Sequence, residues 1–327
     1  MDNKIHIAYA PDDNYTNLTI VSMTSVVENN KDANIEFIIL YSKLEDKNIK
    51  KYEYFKNYPN CDVRFVKVNE ELFDGLPLSH WVTVQAWFRV VIPTLCPDLD
   101  KVLYLDCDTS VNSSLKDLWN LDLGDNYLAS VKDIVHTDEF ITRLRMRSNS
   151  YFNSGVLLIN CNKFREENVL DKIKEIVDKK SFKIKFCDQD TLNIIADVQK
   201  IDLPMKYNYM EIWWHNGYFE YFGEEEKLYL EARENPAIVH FTGVKPSKKG
   251  CKHSQRDNWW KYAKLSNIYD EILEDYNASV EKQKPERAFD KVFKKISEYD
   301  KNRKWRSYII FGMKFRFEVS KNRKRGF

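Results

Sequence analysis

The stretch Lys101-Val102-Leu103-Tyr104-Leu105-Asp106-Cys107-Asp108-Thr109 decides the reading of this chain. Residues 102–105 are a run of four apolar side chains, the length of a short buried strand, and the run stops abruptly in two aspartates separated by one residue. In an open α/β sheet, ligands bind beyond the carboxyl ends of the strands, so both carboxylates can reach one hard cation there. Aspartate oxygens suit Mg²⁺ or Mn²⁺, with phosphate oxygens completing the shell. The same pair would also arise if one aspartate capped the following turn and the other were solvated. Buried strands, however, rarely end in two acids without a use for them.

Working outward, residues 5–10, 35–40 and 63–68 predict three earlier strands, and 18–27 and 43–55 predict helices between them. Residues 83–92 predict a helix that stops at Pro93. Downstream come a strand over 156–159, a helix over 163–178, a short helix over 188–196 and a late strand over 237–241. Short apolar runs alternating with helical patterns imply an α/β fold with a mostly parallel sheet covered on both faces. From about Ser266 the strand signals fade. Phe289, Val292, Phe293 and Ile296 have the spacing of an amphipathic helix. The expected organisation is one α/β domain over 1–265 and a helical, basic extension over 266–327.

With 43% apolar and 31% charged residues among 327, a packed core is available and wholesale disorder is excluded. The 51 Lys and Arg against 50 Asp and Glu give no overall electrostatic reason to bind nucleic acid. The balance hides an asymmetry: residues 281–327 carry a net charge of +10, leaving −9 for the first 280. In that tail the cations interleave with Trp305, Tyr308, Ile309, Ile310, Phe311, Phe315 and Phe317, the composition of an interfacial membrane anchor. Phe311, Met313, Phe315, Phe317 and Val319 alternate with period two, which suits an edge strand as well as a helix. No apolar run approaches the ~20 residues that span a bilayer. Met1 to Lys4 run straight into the first strand, without room for a secretory signal. The expected location is therefore the cytoplasm, peripheral on the inner face of the cell membrane. The six cysteines are dispersed with no CxxC pair, which fits reduced and mostly buried thiols. Cys251 and His253 make a short Cys-x-His pair without further ligands at zinc spacing.

Six segments, in order, resemble glycosyltransferase family 8, a retaining family that includes bacterial lipopolysaccharide α-galactosyl- and α-glucosyltransferases. They are Ala10-Pro11-Asp12-Asp13-Asn14-Tyr15, Arg89, Asp106-Cys107-Asp108, Tyr151-Phe152-Asn153-Ser154-Gly155-Val156, Asp188-Gln189-Asp190 and His240-Phe241-Thr242-Gly243. The resemblance implies a single Rossmann-like nucleotide-diphospho-sugar transferase domain of the GT-A type. It also implies transfer of a hexose, galactose or glucose, from a UDP-sugar to a hydroxyl of a glycan or lipid-linked acceptor. By the same resemblance Asp106, Asp108 and His240 would hold Mn²⁺, or Mg²⁺. Ala10, Asp12 and Asn14 would meet the nucleoside. Arg89, Cys107, Asn153, Asp188 and Gly243 would line the donor site.

Gln189 would sit beside the anomeric centre, orienting the sugar and supporting oxocarbenium charge in a same-face mechanism, with Asp190 as the alternative nucleophile. Asp188-Gln189-Asp190 would also suit an ordinary acidic helix N-terminus. One departure stands out. The family usually has two residues between that glycine and a Lys-Pro-Trp, whereas this chain reads Gly243-Val244-Lys245-Pro246-Ser247. Lys245 is the natural diphosphate contact, with Lys248 or Lys249 as substitutes. Aromatics over 210–215 could stack on an acceptor sugar or simply pack.

Two other function classes fit some of these residues. Asp106-Cys107-Asp108-Thr109 also looks like the nucleophile motif of haloacid-dehalogenase phosphatases, where Asp106 would attack phosphorus. A catalytically silent sugar-nucleotide or glycan-binding module is the other.

Overall fold

The computed structural model describes residues 4–78, 83–133, 137–179, 182–211, 224–281, 293–300, 303–310 and 313–319, with the backbone alone from 279 onward. The chain divides into two compact units, residues 1–274 and 275–327.

The first unit opens with β1 (Lys4–Tyr9), α1 (Thr16–Asn29), β2 (Asn34–Tyr41), α2 (Asp46–Glu53) and β3 (Cys61–Lys67). Next, α3 (Phe88–Leu95) leads into β4 (Lys101–Leu105). Then come β5 (Thr109–Val111), α4 (Lys116–Trp119), β6 (Leu128–Lys132), α5 (Thr137–Leu144) and β7 (Phe152–Asn160). They are followed by α6 (Cys161–Glu166), α7 (Val169–Asp178), α8 (Cys187–Ala196) and β8 (Lys200–Leu203). The order closes with α9 (Glu224–Glu234), β9 (Ile238–His240), α10 (Arg256–Leu265) and α11 (Tyr269–Glu281).

Seven strands form the main sheet, in the order β3-β2-β1-β4-β7-β6-β8. All run the same way except β7, which is antiparallel to both its neighbours. The fold is thus the expected α/β class with a mostly parallel, mixed sheet. Its central strands are buried on both faces. On β4, Leu103 and Leu105 join the core on one side, Val102 and Tyr104 the other. That two-sided burial is why the run 102–105 is apolar without alternation.

Two helices and one boundary in the first unit differ from the pattern read in the sequence. The helix expected over 163–178 is broken in two, because Asn168 adopts a left-handed φ of 48° between α6 and α7. The helix expected to stop at Pro93 runs on to Leu95, since proline removes only one donor and the last turn still closes from Cys96 N–H to the Ile92 carbonyl at 2.9 Å. The boundary expected after residue 265 falls later. The start of α11 is still anchored in the first unit: Ile268 and Ile272 are buried, and Glu271 accepts from Lys51 Nζ at 2.7 Å and Asn17 Nδ2 at 3.1 Å.

The second unit corrects the expectation of a helical extension. Beyond α11 its described residues form an antiparallel sheet, β10 (Phe293–Asp300), β11 (Arg303–Ile310) and β12 (Met313–Val319), in that spatial order. The period-two alternation through Met313, Phe315, Phe317 and Val319, rich in aromatics, is the signal that prevails. Phe293 and Ile296 lie in β10, while Phe289, Val292 and Phe311 are outside the described residues. Among the described residues no helix is long and apolar enough to cross a membrane.

Because β4 lies between two neighbours with both faces covered, truncating it should be felt globally. Leu103→Ala is expected to lower stability by about 2–5 kcal/mol, read as a shifted urea midpoint with an unchanged slope. A loss below about 1 kcal/mol would mean that β4 is not in the core.

Candidate active site

Three chain segments converge at the carboxyl end of β4, and backbone pairing brings them there. Because β7 is antiparallel, its beginning lies beside the end of β4: Leu105 pairs with Val156, and Asp106 N–H donates to the Gly155 carbonyl at 2.7 Å. This places Asn153, Ser154 and Gly155 next to Asp106. After Asp108 the chain enters β5, whose antiparallel partner is β9, with Thr109 opposite His240. Phe241 N–H donates to the Asp108 carbonyl at 2.9 Å, which fixes the imidazole over the two aspartates.

The His240 Nε2 lies 3.3 Å from Asp108 Oδ1 and 3.6 Å from Asp106 Oδ2. Its other nitrogen, Nδ1, is 3.0 Å from Asn208 Oδ1. Asn208 Nδ2 donates in turn to Asn153 Oδ1 at 2.9 Å, so its Oδ1 must accept and Nδ1 carries a proton, leaving Nε2 as the nitrogen that faces the carboxylates. One ligand atom from each of Asp106, Asp108 and His240 falls within a 4.8 Å sphere of mutual distances. Two carboxylates and one neutral imidazole suit Mn²⁺ or Mg²⁺, Mn²⁺ the better of the two. Gly155 is what makes room for them. A Cβ there would lie 2.2 Å from His240 Cε1 and 2.7 Å from Asp106 Oδ2.

Positive charge surrounds this acidic cluster. The Lys245 ammonium donates to Asp108 Oδ2 and, at 3.0 Å, to the Phe241 carbonyl. Burial alone would raise the Asp108 pKa, but His240 and Lys245 outweigh it and hold the carboxyl well below the usual range. Arg89 is buried. It donates to Asp106 Oδ1 at 3.0 Å and to the Ser154 carbonyl, lies 3.3 Å from Asp188 Oδ2, and stacks 4.3 Å over the Tyr104 ring. Burial pushes the Asp188 carboxyl up; Arg89 opposes this and Asp106 adds to it.

A cleft of about 340 Å³ opens over these groups. Of the residues expected to line a donor site, Ala10, Asp12, Arg89, Asp106, Cys107, Asp108, Asn153, Asp188, His240, Gly243 and Lys245 all face it. Lys245 alone of the three candidate lysines lines it. Asn14 is exposed outside it. Gln189 is not among the lining residues either: its Oε1 accepts from Ser154 N–H at 3.0 Å and Asn153 Nδ2 at 3.2 Å. Asp190 is fully buried and both its oxygens are engaged. It takes Lys185 and Phe186 N–H at 2.7 and 3.0 Å, the Tyr151 hydroxyl at 2.7 Å and a fork from Arg143 at 2.6 and 2.9 Å. The expected alternative nucleophile is instead the acceptor of two backbone N–H groups just ahead of α8 and half of a buried ion pair.

Tyr15, Thr83, Gln85, Ala86, Tyr104 and Thr242 also line the cleft and were not singled out in the sequence. Tyr15, Tyr104 and Thr242 lie within the quoted segments and could have been found that way; Asn208 and Arg143 carry no local signal. His253 pairs with Glu211 at 3.2 Å, and Cys251 lines a neighbouring cavity. Among the described residues the group that could hold a metal is Asp106, Asp108 and His240. Ile212, Trp213, Trp214 and His215 lie outside the described residues. All six cysteines are unbridged, four of them buried.

The open sheet, the acidic pair at the end of β4 and the returning β9 histidine are the parts of a GT-A-type glycosyltransferase. The chain belongs to glycosyl transferase family 8, whose family model matches residues 6–249. It is 27% identical to general stress protein A of Bacillus subtilis, over 80% of this chain and 93% of that protein. It is 26% identical to the lipopolysaccharide 1,2-glucosyltransferase of Escherichia coli K12, over 79% of each. Among solved structures, galactosyltransferase LgtC in complex with donor and acceptor sugar analogues aligns with a TM-score of 0.74 and 27% identity, covering 83% of this chain and all of that one. Family membership sets the phosphatase reading of Asp106 aside.

The Asp190–Arg143 pair generates a pH-dependent expectation. Burial opposes the Asp190 charge, but Arg143 and the two N–H donors prevail and depress its pKa. Its stabilising contribution is therefore complete above the ~3.9 of an unfolded aspartate and declines as pH falls through the lower folded value. Asp190→Ala should cost about 3–5 kcal/mol at pH 7, because it leaves Arg143 charged and unpaired inside the protein. In urea unfolding that gap should narrow at pH 3. A gap constant from pH 7 to 3 would contradict an ionised Asp190.

Proposed function

We propose that this protein is a metal-dependent retaining hexosyltransferase that moves galactose or glucose from a UDP-sugar to a hydroxyl of a glycan or lipid-linked acceptor. The observation that carries the reading is the convergence of Asp106, Asp108 and His240 with Lys245 in one cleft. A divalent ion on the three ligands would supply Lewis acidity to the diphosphate oxygens as the glycosidic bond breaks. Lys245 adds a positive charge at the same edge of the cleft, the side on which a leaving diphosphate gathers charge. Ala10, Asp12 and Tyr15, which also line the cleft, receive the nucleoside. Asn153 and Asp188 bond the sugar hydroxyls. Gln189 orients the sugar and supports positive charge near the anomeric carbon. With Asp190 occupied by Arg143, no carboxylate is assigned as nucleophile. The acceptor attacks from the face that the diphosphate leaves, and a phosphate oxygen takes the acceptor's proton. A solved variant of LgtC in which an active-site glutamine is replaced by glutamate supports placing a glutamine at such a centre.

The decisive experiment is calorimetry and UDP release with UDP-galactose and UDP-glucose in the presence of Mn²⁺. Asp106→Ala, Asp108→Ala and Gly155→Ala should each weaken Mn²⁺ binding at least tenfold and abolish UDP release. The first two remove ligands; the third pushes His240 off its position. EDTA should abolish activity and Mn²⁺ restore it. Full activity in EDTA would defeat the metal assignment. Tight UDP-sugar binding without any UDP release would leave a silent binding module.

The basic extension supports a peripheral contact with an anionic membrane surface, on the order of 1 kcal/mol per cation near it. Removing residues 282–327 should abolish co-sedimentation with anionic vesicles. Binding of the full chain should weaken between 0.1 M and 1 M salt, as the Debye length falls from about 10 to about 3 Å. Salt-insensitive binding to neutral vesicles would contradict this.

A further inference from the structure

Gln189 has an amide whose two ends differ only in which one donates, and the groups around it dictate which way round it lies. Its Oε1 accepts from Ser154 N–H and Asn153 Nδ2 at 3.0 and 3.2 Å. Its Nε2 lies 3.1 Å from the hydroxyl oxygen of Tyr151. That hydroxyl is also 2.7 Å from Asp190 Oδ1. Asp190 is held as a carboxylate by the Arg143 fork and two backbone N–H groups, against the pull of burial. A carboxylate only accepts. The Tyr151 proton must therefore point to Asp190, which turns a lone pair of the same oxygen toward Gln189. The amide can donate to Tyr151 but cannot present its carbonyl there.

Reversing the amide would set its NH₂ against Ser154 N–H and its oxygen against the Tyr151 lone pair, two repulsive contacts at once. Phe140 shields the chain of groups: its ring centroid is 4.7 Å from that of Tyr151 and 5.3 Å from Arg143 Cζ. Tyr151 and Asp190 are fully buried, so water does not compete for these bonds.

We infer that Arg143, Asp190 and Tyr151 are a positioning chain that fixes the orientation of the Gln189 amide, with its carbonyl turned to Asn153 and Ser154 at the sugar end of the cleft. The inference rests on the reading above that Gln189 acts at the donor sugar. It deepens that reading by giving the Asp188-Gln189-Asp190 motif a division of labour. Asp188 faces the cleft, Gln189 is the oriented group, and Asp190 transmits the charge of Arg143 through a tyrosine that fixes the polarity of the amide.

The test is a double-mutant cycle on the full chain with Mn²⁺, reading UDP release from UDP-galactose and UDP-glucose. Tyr151→Phe keeps the ring against Phe140 and removes only the hydroxyl. It should lower kcat by about tenfold, since small misplacements of a group at the reacting centre carry losses of that order, with KM for the donor within about twofold of the parent. In a Gln189→Ala background the same change should have no further effect on kcat, although any loss in thermal midpoint would persist. Arg143→Lys, which keeps the charge and breaks the fork, should give a smaller loss with the same dependence on Gln189. It serves alone if the phenylalanine variant does not fold. An equal kcat loss with and without Gln189, or none in either background, overturns the positioning chain. A Gln189→Ala variant with unchanged kcat removes instead the assignment of Gln189 on which the inference stands.

Discussion

A single buried guanidinium holds this site together. Arg89 reaches the Ala86 carbonyl before its own helix at 2.8 Å, Asp106 after β4, the Ser154 carbonyl in β7 and Asp188 at the start of α8, while its face lies on Tyr104. Those partners come from four separate stretches of chain. A buried cation needs opposite charge and hydrogen bonds to offset the loss of water, and here two carboxylates and two carbonyls provide them. The converse also holds. Asp106 adds to the upward push on the Asp188 carboxyl, and Arg89, which opposes it, is what lets both lie beside the same cleft. It acts here as the brace behind the Asp106 carboxylate, and its place in the cleft wall follows from that task.

A second buried pair, Arg143 with Asp190, repeats the principle one layer further in. The two pairs hold the outer residues of Asp188-Gln189-Asp190 at the start of α8. Each outer aspartate is tied to an arginine from a different helix, and the glutamine between them is left with neutral hydrogen bonds. Charged groups thus supply the rigidity, and the group nearest the proposed reacting carbon is an amide whose polarity they impose. Gly155 completes the arrangement by omission. With any side chain there, the β9 histidine and the β4 aspartate could not approach each other.

Much of the fold was legible in the sequence because it is carried by local patterns. The apolar runs of β1, β2, β3 and β4 are long enough to stand out, and the acids at the end of β4 mark which end of the sheet is in use. Short or half-polar strands were not legible. β5 has three residues, and β8, Lys200–Leu203, sits at an edge and alternates charge with apolar side chains. β6, Leu128–Lys132, has the weak signal of a five-residue strand containing Ala, Ser and Lys. In the extension two periodicities competed over neighbouring residues. The helical spacing rested on four residues, while the period-two alternation ran on through β12, and a longer match to one period outweighs a shorter match to another.

By itself the sequence determined the class of fold and the family, and it picked out Asp106, Asp108 and His240 as candidate metal ligands. Each is written in residues adjacent in the chain: two aspartates after an apolar strand, an Asn-Ser-Gly, an Asp-Gln-Asp and a His-Phe-Thr-Gly. Only the tertiary structure decided where each of those residues lies. It paired Asp190 with Arg143 rather than turning it to the cleft, put Lys245 and not Lys248 or Lys249 in the cleft lining, left Asn14 outside, and supplied Asn208 as the partner of His240 Nδ1. The physical reason is the same in every case. A hydrogen bond or ion pair is decided by distances of a few ångströms between groups tens of residues apart, and those distances follow from how strands pair. The antiparallel entry of β7 beside β4, and of β9 beside β5, has no signature in either segment alone.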